Sequence, residues 1–103
     1  MALNIVWSSR ALSDLENTKE YLINTWGQSS LNKFLDILEQ KISIIMQFPE
    51  SCPKVAQFKN VRKCVLTPQN TLFYRIVEGE IEIESLEILR IFDNRQDPDK
   101  LGL

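Results

Sequence analysis

VRKCVLTPQNTLFYRIVEGEIEIESLEILRIF, residues 61–92, decides the fold. It divides into three runs rich in β-branched and aromatic residues, VRKCVL at 61–66, TLFYRIV at 71–77 and IEIESLEILRIF at 81–92. Thr67-Pro68-Gln69-Asn70 separates the first pair and Glu78-Gly79-Glu80 the second. Spacers that short force antiparallel hairpins. The last run changes phase: Ile81 and Ile83 share one face, and so do Leu86 and Ile88. A bulge at Ser85 puts all four on one side and Glu82, Glu84 and Glu87 on the other.

Upstream of this sheet the period changes from two to 3.6. Leu31, Phe34, Leu35, Leu38, Ile42 and Ile45 follow the spacing of a helix buried over a wide face, broadened by Ile37, Ile44 and Phe48. Ser29 or Ser30 opens this helix and Pro49 closes it. Before it, Leu12, Leu15, Leu22 and Trp26 mark a first helix, opened by Ser8 or Ser9 and stopped at Gly27. Asp14 and Glu16 sit near its positive end. With only a Gly-containing connection, the two helices form an antiparallel hairpin. Residues 3–7, with Leu3, Ile5 and Trp7 alternating, read as a short opening strand. Residues 49–60 read as an irregular loop, and 93–103 as a polar tail over the surface. The expected architecture is one α+β domain over residues 1–103: a strand, an antiparallel helical hairpin, then a three-stranded antiparallel sheet.

Composition narrows the chemistry. The 103 residues are 44% hydrophobic and 25% charged, with a formal charge of −2. That argues against wrapping nucleic acid through bulk charge. There is no histidine, which removes Ser–His and Cys–His pairs, histidine metal sites and the commonest general base. Cys52 and Cys64 are too few for a four-ligand zinc site. No leader or long apolar run appears, so the expected compartment is the cytoplasm, where both cysteines are read as free thiols. Trp7 and Trp26 are read as core packing. Cys64 is read as a small buried residue and Cys52 as a loop cysteine without a partner base.

The charge is sharply divided. Residues 51–77 hold Lys54, Lys59, Arg62, Lys63 and Arg75 with no acid, and residues 78–87 hold five glutamates with no base. Cross-strand pairing is one explanation. Arg75 and Arg90 each interrupt an apolar strand. Such an arginine needs a carboxylate, a carbonyl or water, so each either pairs internally with a glutamate or joins a basic cluster on the sheet face that the helices leave open. Tyr74, beside Arg75, is read as a core residue with its hydroxyl at the edge, the alternative being base stacking or proton transfer.

The whole chain resembles the RelE/ParE superfamily of type II toxin–antitoxin toxins, often labelled plasmid stabilisation proteins. The resemblance rests on Ile5-Val6-Trp7-Ser8-Ser9-Arg10-Ala11, Leu15, Tyr21-Leu22, Phe48-Pro49, Val61-Arg62-Lys63, Leu72-Phe73-Tyr74-Arg75-Ile76 and the run from Ile88 to Pro98. It implies a growth-arresting toxin neutralised by a cognate antitoxin, with no cofactor and no metal. RelE-like members cut messenger RNA on the ribosome, which would make Arg62, Lys63 and Arg75 the catalytic residues. ParE-like members inhibit DNA gyrase without that set, which would make Arg75, Arg90 and Arg95, with Lys100, the target-binding residues. The late tyrosine or histidine of the RelE-like set is missing, because nothing of either type follows Tyr74. That gap and the acidic balance favour the ParE-like reading over RNA cleavage. A third possibility is a degenerate relative that only binds antitoxin.

Overall fold

The computed structural model describes residues 3–103. Its elements are β1 (Asn4–Trp7), α1 (Ser9–Thr25), α2 (Gln28–Gln47), β2 (Val61–Thr67), β3 (Asn70–Glu78) and β4 (Ile83–Asp93), followed by a short 3₁₀ turn at Pro98–Lys100. The strands form one sheet in the order β1-β4-β3-β2. β2, β3 and β4 are antiparallel neighbours, and β1 lies parallel to β4 with Asn4 opposite Ser85 and Trp7 opposite Ile88. The α+β architecture expected from the sequence is therefore the one observed.

The helix ends follow from local chemistry. Ser8, not Ser9, caps α1: its extended backbone lets Oγ accept the Ala11 N–H at 3.0 Å. Neither Asp14 nor Glu16 lies in the first turn, contrary to the expectation that they serve the helix end. Gly27 has φ 94°, a conformation that costs glycine nothing, so the chain reverses at once and α2 starts at Gln28. Ser29 and Ser30 fall inside the first turn rather than at the cap.

The sheet carries two apolar faces. Toward the helices, Leu72, Tyr74, Ile76, Leu86, Ile88 and Ile91 pack with Ala11, Phe34, Leu38 and Ile45. Several of these are fully buried, at roughly 1.5–3 kcal/mol for each large aliphatic side chain. The opposite face holds Val61, Phe73 and Phe92, with the two phenylalanine rings edge to face at 6.5 Å. It is not left open. Val55 and Phe58 from the α2–β2 loop and Leu101 and Leu103 from the tail pack over it. Residues 93–103 thus do more than lie on the surface, because apolar strand residues on that side need cover.

β4 keeps its phase through two extra residues. Glu84 is bulged where Val77 and Glu78 pair with Ser85 and Ile83, and Leu89 is bulged where Phe73 and Tyr74 pair with Arg90 and Ile88. The expected bulge at Ser85 is therefore displaced by one residue, and a second one returns Ile91 to the helix side. Ile81 does not join the core face. It sits at the hairpin tip, 97% exposed, where the Gly79 N–H donates to Glu82 O.

Other expectations change too. Trp7 packs against the core, but Trp26 ends α1 at the hairpin apex and is 67% exposed. Tyr74 is fully buried and its hydroxyl donates to Pro49 O at 2.5 Å, which leaves no face for stacking. Cys52 and Cys64 form a disulfide rather than two free thiols, because the loop runs back beside β2 and brings their Cα atoms to 5.5 Å.

The cap assignment is directly testable. Ser8→Ala should lower the unfolding free energy by about 1–2 kcal/mol in urea titrations with an unchanged slope, while Ser9→Ala should leave it within about 0.5 kcal/mol.

Candidate target-binding surface

The four arginines singled out in the sequence have four different fates. Arg90 turns inward. Its Nε and Nη2 donate to Asp14 Oδ2 and Oδ1 at 2.7 and 2.9 Å, a forked pair whose side chains are 9% and 14% exposed. Nη1 donates to the carbonyls of Leu101 at 2.6 Å and Lys100 at 3.1 Å, and the guanidinium lies 5.5 Å from the Phe92 ring centre. Its acidic partner is thus an aspartate of α1, not one of the strand glutamates. Lys100 contributes its carbonyl to this clasp.

Arg62 holds the α2–β2 loop, donating from Nη1 to Cys52 O at 2.8 Å and Glu50 O at 3.1 Å. Lys63, the next residue along β2, is exposed and points to the opposite face. Arg75 stands on the same face as Lys63 and makes one contact, 3.3 Å to Glu87 Oε1, its register partner on β4. With both side chains partly exposed, that pair contributes at most about 1 kcal/mol. The structure therefore brings Lys63 and Arg75 to one face and separates Arg62 from them.

Arg95 organises a second cluster. Nε and Nη2 donate to Asp93 Oδ1 and Oδ2 at 3.0 and 2.8 Å. Nη1 donates to Tyr21 Oη at 3.2 Å, and the guanidinium lies 5.0 Å from the Tyr21 ring centre. The hydrogen bond and charge of Arg95 pull the Tyr21 phenol below its ordinary value of 10.0 and hold the Asp93 carboxyl below the usual range. Burial pushes the Tyr74 phenol the other way.

Tyr21 and Arg95 border a cleft of about 470 Å³ between the helical hairpin and the turn end of the sheet. Trp26, Lys33, Ile37 and Phe34 form its helical wall, and Asn70 and Ile91 lie on the sheet side. Its acids, Asp14 and Asp93, are both paired with arginines, so Lys33 is the uncompensated charge among the described lining residues. Beyond the cleft the same flank of α2 continues through Lys41, Ile44 and Phe48, at helical spacing from Lys33 and Ile37. Ile37, Ile44 and Phe48 are 37%, 43% and 64% exposed, an apolar stripe with two lysines.

The sequence reading missed Tyr21 and Lys33 as members of a site. It had a usable signal for Asp14: with Ala11, Leu15 and Leu22 it falls on the core-facing stripe of α1, where a carboxylate requires a cation. Among the described residues no group of His, Cys, Asp or Glu is arranged to hold a metal, and no helix is long and apolar enough to cross a membrane.

Over residues 5–98 the sequence matches the family described as ParE toxin of type II toxin-antitoxin system, parDE. The chain belongs to this family. The fold agrees. A chain of the chromosomal ParDE system from P. aeruginosa superposes with a TM-score of 0.69 at 18% identity, covering 89% of this chain and 96% of that one. The YoeB/ParE toxin from Agrobacterium tumefaciens gives 0.63 at 12% identity, with 88% and 98% covered. Among curated proteins none matches. Membership of a type II toxin–antitoxin family implies an antitoxin as partner.

Two measurements test this geometry. The chain has two tyrosines, so the ultraviolet titration of the folded ParE-type toxin should show two steps, Tyr21 below the ordinary phenol value and Tyr74 above it. Arg95→Ala should move only the first step upward. Asp14→Asn should cost about 3–5 kcal/mol in equilibrium unfolding, because it strands a buried guanidinium. Glu87→Gln should cost no more than about 1 kcal/mol.

Proposed function

We propose that this ParE-type toxin is a binding poison directed at DNA gyrase, not a nuclease, and that a cognate antitoxin silences it in the cytoplasm. The observation that carries this reading is the commitment of Arg62, Arg90 and Tyr74 to the fold, which leaves Lys63 and Arg75 of the candidate catalytic set on one face without Arg62. Arg62 turns Nη1 to loop carbonyls and Arg90 is neutralised by Asp14. The hydroxyl of Tyr74 is held by Pro49 O beneath the sheet. Cleavage through a 2′-hydroxyl needs one group to take a proton and another to give one beside positive charge at the phosphate. The carboxylate paired with Arg75 is that of Glu87, and it supplies at most the acceptor.

The exposed binding groups are of a different kind. Tyr21 and Trp26 are aromatic anchors, a residue class enriched at protein interfaces, and Arg95 is ordered beside them by Asp93. These three form the surface assigned to the target, and Arg75, on the sheet face with Lys63, does not line it. The stripe of Ile37, Ile44 and Phe48, flanked by Lys33 and Lys41, suits an amphipathic antitoxin segment with acidic residues. The competing reading, a ribosome-dependent endoribonuclease acting on messenger RNA, keeps one observation in its favour: Lys63 and Arg75 share a face with the Glu87 carboxylate.

Pulse labelling after induced expression in a bacterial host separates the readings. Early loss of thymidine incorporation with methionine incorporation preserved is expected. Early loss of methionine incorporation would make translation the target, and no loss of either would indicate a degenerate toxin or a host that lacks the target. Arg95→Ala should blunt the thymidine effect at least about tenfold in the inducer level required, as for loss of one interface anchor. Arg75→Ala should abolish activity only if RNA is cut. Arg90 is unsuitable for this test, since its removal disturbs the fold.

A further inference from the structure

The Cys52–Cys64 pair has no part in the surface described above, and it sits where a covalent bond has a mechanical consequence. The loop after α2 lies along the free edge of β2. Lys63 N–H donates to Pro53 O at 3.0 Å, Val55 N–H donates to Val61 O at 2.8 Å, and Lys54 is bridged to Arg62. The loop thus supplies backbone partners to the start of a strand that would otherwise expose them. Its Val55 and Phe58 also cover Val61, Phe73 and Phe92. Apart from Cys52, the anchors of this flap are hydrogen bonds, several at exposed positions, and small apolar contacts.

We propose that Cys52 and Cys64 form a thiol–disulfide exchange site whose co-substrate is a small disulfide such as glutathione disulfide, and that its redox state sets how readily the flap opens. The proposal rests on the proposed function only for the compartment. A reducing cytoplasm holds isolated thiols reduced, and disulfides found there are usually transient or redox-sensing. Both cysteines are nearly buried, at 7% and 2% exposure, so exchange proceeds through opening of the loop that carries Cys52. The Cys52 thiolate attacks one sulfur of glutathione disulfide, forming a mixed disulfide and releasing one glutathione thiolate. The Cys64 thiolate then attacks Cys52 Sγ and releases the second. Two electrons pass from the cysteine pair to glutathione disulfide, and the two protons lost by the cysteines end on the two glutathione molecules. Oxidation locks the flap on the strand. Reduction leaves it to its hydrogen bonds, so the edge of β2 and the apolar cluster behind it become intermittently available.

The test uses the full chain equilibrated with glutathione disulfide or with dithiothreitol. Iodoacetamide labelling after unfolding is read by mass spectrometry, and amide hydrogen exchange is read on the folded protein. The oxidised chain should resist alkylation at both cysteines. Its Val55 and Lys63 amides should exchange about tenfold more slowly than in the reduced chain, as expected for a cross-link that suppresses local opening. The Ile91 amide, held by Asp14 at 3.0 Å away from the flap, should not change. In hydrogen exchange Cys52→Ala should behave as the reduced chain in both buffers. Full alkylation after glutathione disulfide treatment would overturn the proposal, as would equal exchange at Val55 and Lys63, or an equal slowing at Ile91. A labelling result against gyrase would leave this chemistry standing, whereas failure of the bond to form ends it whatever the target.

Discussion

The ion pair between Asp14 and Arg90 joins three parts of the chain, α1, β4 and the C-terminal tail. β1 pairs with β4 only as far as Ile88, while β4 runs on to Asp93. Beyond that point the edge of β4 would present unpaired backbone groups to the underside of α1. Ser8 and Asp14 satisfy them: Ser8 Oγ donates to Leu89 O at 2.9 Å, and Asp14 accepts the Ile91 N–H. A buried carboxylate in that position needs a cation, and Arg90 provides a forked one. The remaining donor of Arg90 then fixes the tail carbonyls. One charge pair therefore completes a sheet edge, seats a helix and anchors the C-terminal segment.

The same economy explains why basic positions in this sequence are poor evidence for a phosphate site. A guanidinium satisfies carbonyls and carboxylates as readily as it does phosphate. Here Arg62 closes a loop, Arg90 closes an edge, and Arg10 donates to Gly102 O at 2.9 Å. The outer sheet face needs this help. Its apolar residues are covered by irregular chain whose carbonyls have no ladder partners, and arginines supply the missing donors.

How much of this is legible in the sequence depends on the range of the interaction. The α+β order and both hairpins follow from periodicity and short spacers, which act within about a dozen residues. The cap at Ser8, the exact bulge on β4 and the start of α2 turn on single dihedrals, so the sequence narrows each to neighbouring residues without choosing. Asp14 with Arg90 and Tyr21 with Arg95 lie 76 and 74 residues apart, and no local pattern joins them. The cysteine pair misled for another reason. Compartment argues for free thiols, while the path of an irregular loop decides whether two sulfurs meet.

Net charge is likewise a poor guide to what the cleft selects. The chain carries −2 overall, yet the cleft is not acidic, because its two carboxylates are cancelled by Arg90 and Arg95. What remains is Lys33, two exposed aromatic rings and a row of amide and hydroxyl groups. A nucleic acid gains affinity from each phosphate neutralised, with a salt slope near −0.9 per phosphate. A cleft whose described lining offers one free cation draws little from that source. Aromatic area and directional hydrogen bonds, by contrast, are what a folded protein partner uses. The cleft's charge balance and its aromatic rim therefore agree with each other, and both favour protein over polyanion as its occupant.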